Sequence, residues 1–252
     1  YNAAFKNLHI AASGNYNLFT TTNATYDPTL HVEDCTVDAA YNVVYDSHNT
    51  QNFKSVYFGN SIVKMTVANK PFYSTKAKDA HTQQLIRLDN NVFYAEMPLQ
   101  NYLINCGDRS QAFQTTRLQV EVTNNTIYNI YQPNIMIRAY VLAGLTVTKN
   151  VGYYTGVTAK NYLTGVYDTA GFTADKAEVT YNYLYTAPVS DTNFWSAKHT
   201  GSYTPANNQM GDGVEAPFSS MDAAKGYFPV DASVVKTGAG ATYDTKAWFK
   251  AE

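Results

Sequence analysis

Apolar and polar positions alternate in short bursts along this chain, and each burst ends in a small polar residue at a fixed offset. The copies are Leu30-His31-Val32 with Cys35, Val56-Tyr57-Phe58 with Ser61, and Ile86-Arg87-Leu88 with Asn91. Val120-Glu121-Val122 with Asn125, Leu145-Thr146-Val147 with Asn150, and Ala177-Glu178-Val179 with Asn182 follow. A weaker copy, Leu8-His9-Ile10 with Ser13, opens the chain. Successive copies start 22, 26, 30, 34, 25 and 32 residues apart. Repeats of this length predict a solenoid, in which each unit buries its apolar face only against its neighbours.

Within a copy, the first and third positions are apolar and those between are mostly polar, which predicts a strand with one buried face. The small polar residue interrupts the alternation and so marks a turn. An Asn there can bond to the Asn above and below it, forming a ladder that satisfies turn amides. Apolar residues resume immediately, as in Ile62-Val63, Val92-Phe93, Thr126-Ile127 and Tyr183-Leu184. A further strand follows in each unit, at Tyr41–Tyr45, Lys70–Tyr73, Asn101–Ile104, Asn134–Ile137 and Asn161–Leu163. Two or three short strands per unit, with insertions of variable length, predict an all-β, single-stranded, right-handed parallel β-helix of about seven rungs. A leucine-rich repeat shares the strand pattern, but it expects near-constant units of about 20–29 residues.

The repeat stops at Pro188. Residues 1–187 are expected to form the β-helix, and 188–252 a C-terminal cap or strap packed on it, because a solenoid end must be covered. The N-terminal end shows no comparable cap, so a preceding domain is expected. Long insertions at 47–55, 75–84 and 106–117, the last with Asp108, Arg109 and Arg117, are where a solenoid usually builds a site.

Charged residues make up only 15% of the 252, against about 25% in an average protein. With a net charge of −2 there is no basic face for nucleic acid. No apolar run spans a membrane. Cys35 and Cys106 lie two rungs apart, so no disulfide is expected. His9, His31, His48, His81 and His199 lack zinc spacing, and no phosphate loop or nucleophile motif occurs.

The rungs, including Val120-Glu-Val-Thr-Asn-Asn-Thr-Ile-Tyr-Asn129, resemble the β-helix domains of pectate-lyase-like proteins. The tail, Ala216-Pro-Phe-Ser-Ser-Met-Asp-Ala-Ala-Lys-Gly-Tyr-Phe-Pro-Val230 and Gly238-Ala-Gly-Ala-Thr-Tyr-Asp-Thr-Lys-Ala-Trp248, is similar to the closing segment of β-helix surface lipoproteins of gut Bacteroidetes, families without assigned function. The resemblance implies an extracytoplasmic, cell-surface or periplasmic location, a lipid anchor on the full-length protein, and a glycan-related role. It supplies no catalytic residues.

Two constellations carry candidate chemistry. Tyr94, Tyr128, Tyr153 and Tyr185 share one repeat position, so they would form a column about 14 Å long. Tyrosine offers sugars an apolar ring face and a hydroxyl. The column is either a polysaccharide platform or an aromatic ladder lying under a loop. On the first strand, Arg87 stacks on Glu121, and Asp89 and Glu121 are diagonal neighbours with backbones roughly 8 Å apart. That spacing suits an inverting glycosidase pair, at about 6.5–9.5 Å between carboxyl groups, or a lyase with Arg87 as base or clamp. No acidic cluster suited to calcium forms, so Ca²⁺ is expected only if the protein is a lyase. The leading expectation is a monomeric, non-catalytic polysaccharide-binding domain without cofactor or metal. The alternatives are a lyase or hydrolase acting on an acidic glycan with Arg87, Asp89 and Glu121, and a structural spacer or adhesin stalk.

Overall fold

The computed structural model describes residues 2–12, 14–21, 28–46, 53–75, 84–106, 118–132, 135–139, 142–155, 162–166, 176–187, 193–195, 203, 205–211 and 215–246. These form an all-β parallel solenoid of three sheets. The first sheet has seven strands: Asn2–Lys6, Thr29–Glu33, Ser55–Gly59, Gln84–Asp89, Leu118–Thr123, Leu142–Thr148 and Ala177–Thr180. The second has eight: His9–Ala11, Thr36–Ala39, Ile62–Met65, Val92–Gln100, Thr126–Tyr131, Val151–Thr155, Tyr183–Ala187 and Gln209–Met210. The third runs Phe19–Thr21, Val44–Asp46, Tyr73–Thr75, Ile104–Cys106, Ile135–Ala139, Tyr162–Val166 and Asn193–Trp195. Every neighbouring pair of strands in these sheets is parallel, and each strand pairs with its equivalents one rung away.

The turn between first and second sheets explains the sequence signature. Its leading residue is left-handed in every rung: Asn7, Asp34, Asn60, Asn90, Asn124, Lys149, Tyr181 and Asn207 have φ between 51° and 57°. Asn and Asp tolerate this region better than other side chains. The next residue turns inward and builds the ladder. Ser61 N donates to Asn91 Oδ1 at 2.9 Å, Asn91 N to Asn125 Oδ1 at 2.9 Å, and Asn125 N to Asn150 Oδ1 at 3.0 Å. Asn150 N then donates to Asn182 Oδ1, and Asn182 N to Asn208 Oδ1. Each ladder Asn also donates Nδ2 to a carbonyl of the rung before, as Asn125 does to Leu88 O at 2.9 Å. Buried turn amides and carbonyls are thereby paired without water.

The first rung starts at Ala3, not at Leu8. Ala3, Ala4 and Phe5 pair with Leu30, His31 and Val32, and Leu8 precedes the second strand as Cys35 does. The apolar-x-apolar pattern of Leu8-His9-Ile10 misleads because Ile10 belongs to the second sheet, beside Val37. His9 therefore does not stack with His31; His31 lies between Ala4 and Tyr57. At the other end, Asn208 and Gln209 extend the ladder and the second sheet beyond Ala187.

Two cores result. Inward residues of all three sheets fill the coil, with Phe58, Phe72 and Phe93 in edge-to-face contact at 4.8 Å. A second core lies outside the coil, where Phe218, Phe228, Val235, Ala239, Ala241 and Tyr243 of the C-terminal segment pack on the second sheet. Cys35 and Cys106 are both buried, and burial pushes the Cys35 thiol up.

Candidate functional site

The tyrosine column forms in register: Tyr94 pairs with Tyr128, Tyr128 with Tyr153, and Tyr153 with Tyr185. Tyr128 stacks on Tyr153 at 5.5 Å and Tyr153 on Tyr185 at 4.6 Å. The column points out of the coil, but the C-terminal segment covers it. Phe228 stacks on Tyr128 at 4.0 Å, and Phe218 meets Tyr153 edge-on at 5.5 Å. Tyr94, Tyr153 and Tyr185 are 4%, 8% and 6% exposed. Burial raises the phenols of Tyr94, Tyr128 and Tyr153, Tyr94 to about 12. Tyr128 is half-buried beneath Phe228 and Phe218, so the column forms the floor of the second core rather than an open row of rings.

Polar contacts fasten this roof. Gly240 N donates to Lys149 O at 2.8 Å, Ala241 N to Thr126 Oγ1 at 3.0 Å, and Thr242 N to Asn90 Oδ1 at 2.7 Å. Lys246 is fully buried, and its Nζ donates to the carbonyls of Asn90 and Thr242 at 2.9 and 3.0 Å. Burial lowers its pKa to about 7, partly opposed by Asp244, Asp34 and Asp89.

The first sheet's outward face has no such cover among the described residues and carries the remaining candidates. One column runs Ala4, His31, Tyr57, Arg87, Glu121, Thr146, Glu178, and the next Lys6, Glu33, Gly59, Asp89, Thr123, Thr148, Thr180. Arg87 and Glu121 are neighbours and form an ion pair at 3.4 Å, with the arginine side chain 48% exposed. The other oxygen of Glu121 accepts from Gln119 Nε2 at 2.6 Å. Asp89 is diagonal to Glu121, and its Oδ1 accepts from Thr123 Oγ1 at 2.5 Å and Asn124 Nδ2 at 3.1 Å. The three residues are thus brought together, with the charges of Arg87 and Glu121 directed at each other.

The column also holds an arrangement not singled out from the sequence. The Tyr57 ring lies across Gly59: a methyl there would meet the phenol oxygen at 2.1 Å. His31 packs against the same ring at 4.5 Å between centroids. Burial raises the Tyr57 phenol, with Glu33 and Asp89 adding to the effect. A glycine at the position beside the next rung's Asp89, two residues after an outward tyrosine, was the available signal.

Among the described residues no group of three His, Cys, Asp or Glu side chains converges as a metal site, and no helix is long and apolar enough to cross a membrane. His48, His81, His199, Asp108, Arg109 and Arg117 lie outside the described residues. The chain matches no family model, no curated protein and no solved structure.

Proposed function

We propose that this chain is a non-catalytic, extracytoplasmic polysaccharide-binding domain of a surface protein, and that its binding face is the outward side of the first sheet. One observation carries the reading: Tyr57, laid across Gly59 and backed by His31, sits in the middle of an open polar face, whereas the tyrosine column is roofed. A half-buried aromatic ring beside partly exposed hydroxyl, amide and carboxylate groups suits the alternating C–H faces and hydroxyls of a sugar chain. The resemblance of the tail to surface lipoproteins of gut Bacteroidetes supports the location.

The runner-up is a hydrolase or lyase using Arg87, Asp89 and Glu121, favoured by the diagonal placement of the two carboxylates. Their partners count against it. Glu121 is held by Arg87 and Gln119, and Asp89 by Thr123 and Asn124, whereas a general acid must present its proton to the substrate.

Electrophoresis of the native protein through gels containing single polysaccharides tests this. Retardation without cleavage by at least one glycan, abolished by Tyr57→Ala, is the expected result. Release of reducing ends or unsaturated products would overturn the non-catalytic reading. Retardation unchanged in Tyr57→Ala would overturn the site.

A further inference from the structure

We infer that the outward face of the first sheet takes uncharged polysaccharide and turns away chains bearing carboxylate or sulfate groups. This rests on the binding reading above and adds the ligand class. Glu178, Lys149 and Lys176 lie at the far end of the face and its turn edge. On the rung of Tyr57 and the two rungs to either side, the described residues of the face and its turn edge carry Glu33, Asp34, Asp89 and Glu121 against Lys6 and Arg87. Both cations are already engaged. Lys6 bridges Glu33 at 3.1 Å and Asp34 at 3.4 Å, and Arg87 pairs with Glu121 at 3.4 Å. His31 faces Glu33 at 3.5 Å. Among the described residues Asp89 and Glu178 accept hydrogen bonds from the neutral donors Thr123, Asn124 and Thr180, and the Lys246 ammonium behind the turn feels the Asp89 charge.

An anionic sugar unit on this face would have to displace Glu121 from Arg87 or lie in the field of surplus carboxylates. The screening length is about 8 Å in physiological salt, so a chain lying on the strands feels that field. The raised Tyr57 phenol is an internal sign of it, because after burial the carboxylates of Glu33 and Asp89 add to the upward shift and Arg87 opposes it. The hydrogen-bond inventory points the same way. Carboxylates only accept, and sugar hydroxyls supply the matching donors; such charge-assisted bonds are shorter and stronger than neutral ones. A uronate carboxylate or sulfate ester adds acceptors where the face has few donors left.

Matched polymer pairs separate the ligand class from the existence of binding: hydroxyethyl- against carboxymethyl-cellulose, and fully methyl-esterified against unesterified polygalacturonate. The same gels would be run with wild type, Tyr57→Ala and Glu33→Gln/Glu121→Gln, each checked by thermal melting. The expected result is retardation by a neutral member at least tenfold stronger than by its acidic partner, with the gap narrowed in Glu33→Gln/Glu121→Gln. An acidic member that retards equally or more strongly, in a Tyr57-dependent way, would overturn the charge inference and leave the binding reading standing. No retardation by any of the four polymers would overturn both.

Discussion

The outward faces of the first and second sheets are built by the same rungs, a turn apart, yet they have opposite fates. On the second sheet the outward columns are Ile62, Val92, Thr126, Val151, Tyr183 and Lys64, Tyr94, Tyr128, Tyr153, Tyr185. Both faces of that sheet are therefore largely apolar, the pattern expected of parallel strands covered on both sides. On the first sheet most outward positions are charged, hydroxyl-bearing or aromatic with a polar tip, with exceptions at Ala4, Gly59 and Leu85, and the inward ones are largely apolar. In-register stacking of like residues is thus no mark of a binding surface. In this fold the more uniform and aromatic column is the one that the chain itself covers.

The largest effect should come from removing the roof's anchor. Phe228 is fully buried against Tyr128, Tyr94 and Phe218, and large-to-small changes at such sites cost about 3–5 kcal/mol. Phe228→Ala should lower the melting temperature and uncover the tyrosines to nitration, while glycan retardation through Tyr57 persists below the melt. Loss of retardation with the coil still folded would mean that the two faces are not independent.

The ladder sits at the corner shared by both faces, so breaking it should weaken them together. Asn125→Leu removes the acceptor of Asn91 N and the donor to Leu88 O, both buried. Each unsatisfied group costs about 1–3 kcal/mol. Hydrogen exchange should rise at Asn91 and in its neighbouring rungs on both sheets; a rise confined to the roof would contradict the shared-corner account.

Lys246 gives the roof a pH dependence that sets in near neutrality. Its pKa is about 7 in the folded protein and about 10.4 when unfolded. Between those values the unfolded chain binds a proton that the folded chain does not, so stability rises with pH. Below about pH 7 both states are protonated and the buried charge exerts its full cost. From pH 7 to 8.5 the gain approaches about 1.4 kcal/mol per unit at most. Denaturant unfolding should show it in wild type and not in Lys246→Met. Above pH 9 the raised Cys35 thiol acts in the opposite sense, which sets the upper limit of the comparison.

Much of this fold was legible because its signals are local. The strand alternation and the Asn in the turn arise from contacts between equivalent positions, and these recur in the chain at a readable offset. The positions of Arg87, Asp89 and Glu121 followed from the same arithmetic. Cover was not legible. Whether Tyr128 faces water depends on Phe228, a hundred residues away and outside the repeat, and no period reports that pairing. Asn208 was missed for a related reason, since its rung has lost the apolar-x-apolar strand that identified the others. Lys246 lies outside the repeat, so no period marked it, and its burial rests on the carbonyls of Asn90 and Thr242.

The smallest perturbation gives the sharpest contrast between the faces, because one methyl group has a different meaning on each. At Gly226 on the roofed side, φ is +65° and an added methyl meets Ile62 Cγ2 and Tyr94 Cε1 at 2.7 Å. Gly226→Ala combines left-handed strain with overpacking and should destabilise by about 1–3 kcal/mol. Gly59 has no positive φ, and the three atoms nearest the methyl there all belong to the far end of the Tyr57 ring, which must swing aside. Gly59→Ala should leave stability unchanged or raise it by about 0.4–1 kcal/mol through the unfolded chain. The ring would then leave its seat, so the Tyr57 phenol should fall back toward its ordinary value in an ultraviolet titration, and glycan retardation should weaken with it. A Gly59→Ala protein that melts like wild type and is retarded like wild type would remove Tyr57 from the binding face and leave the open sheet without its aromatic platform.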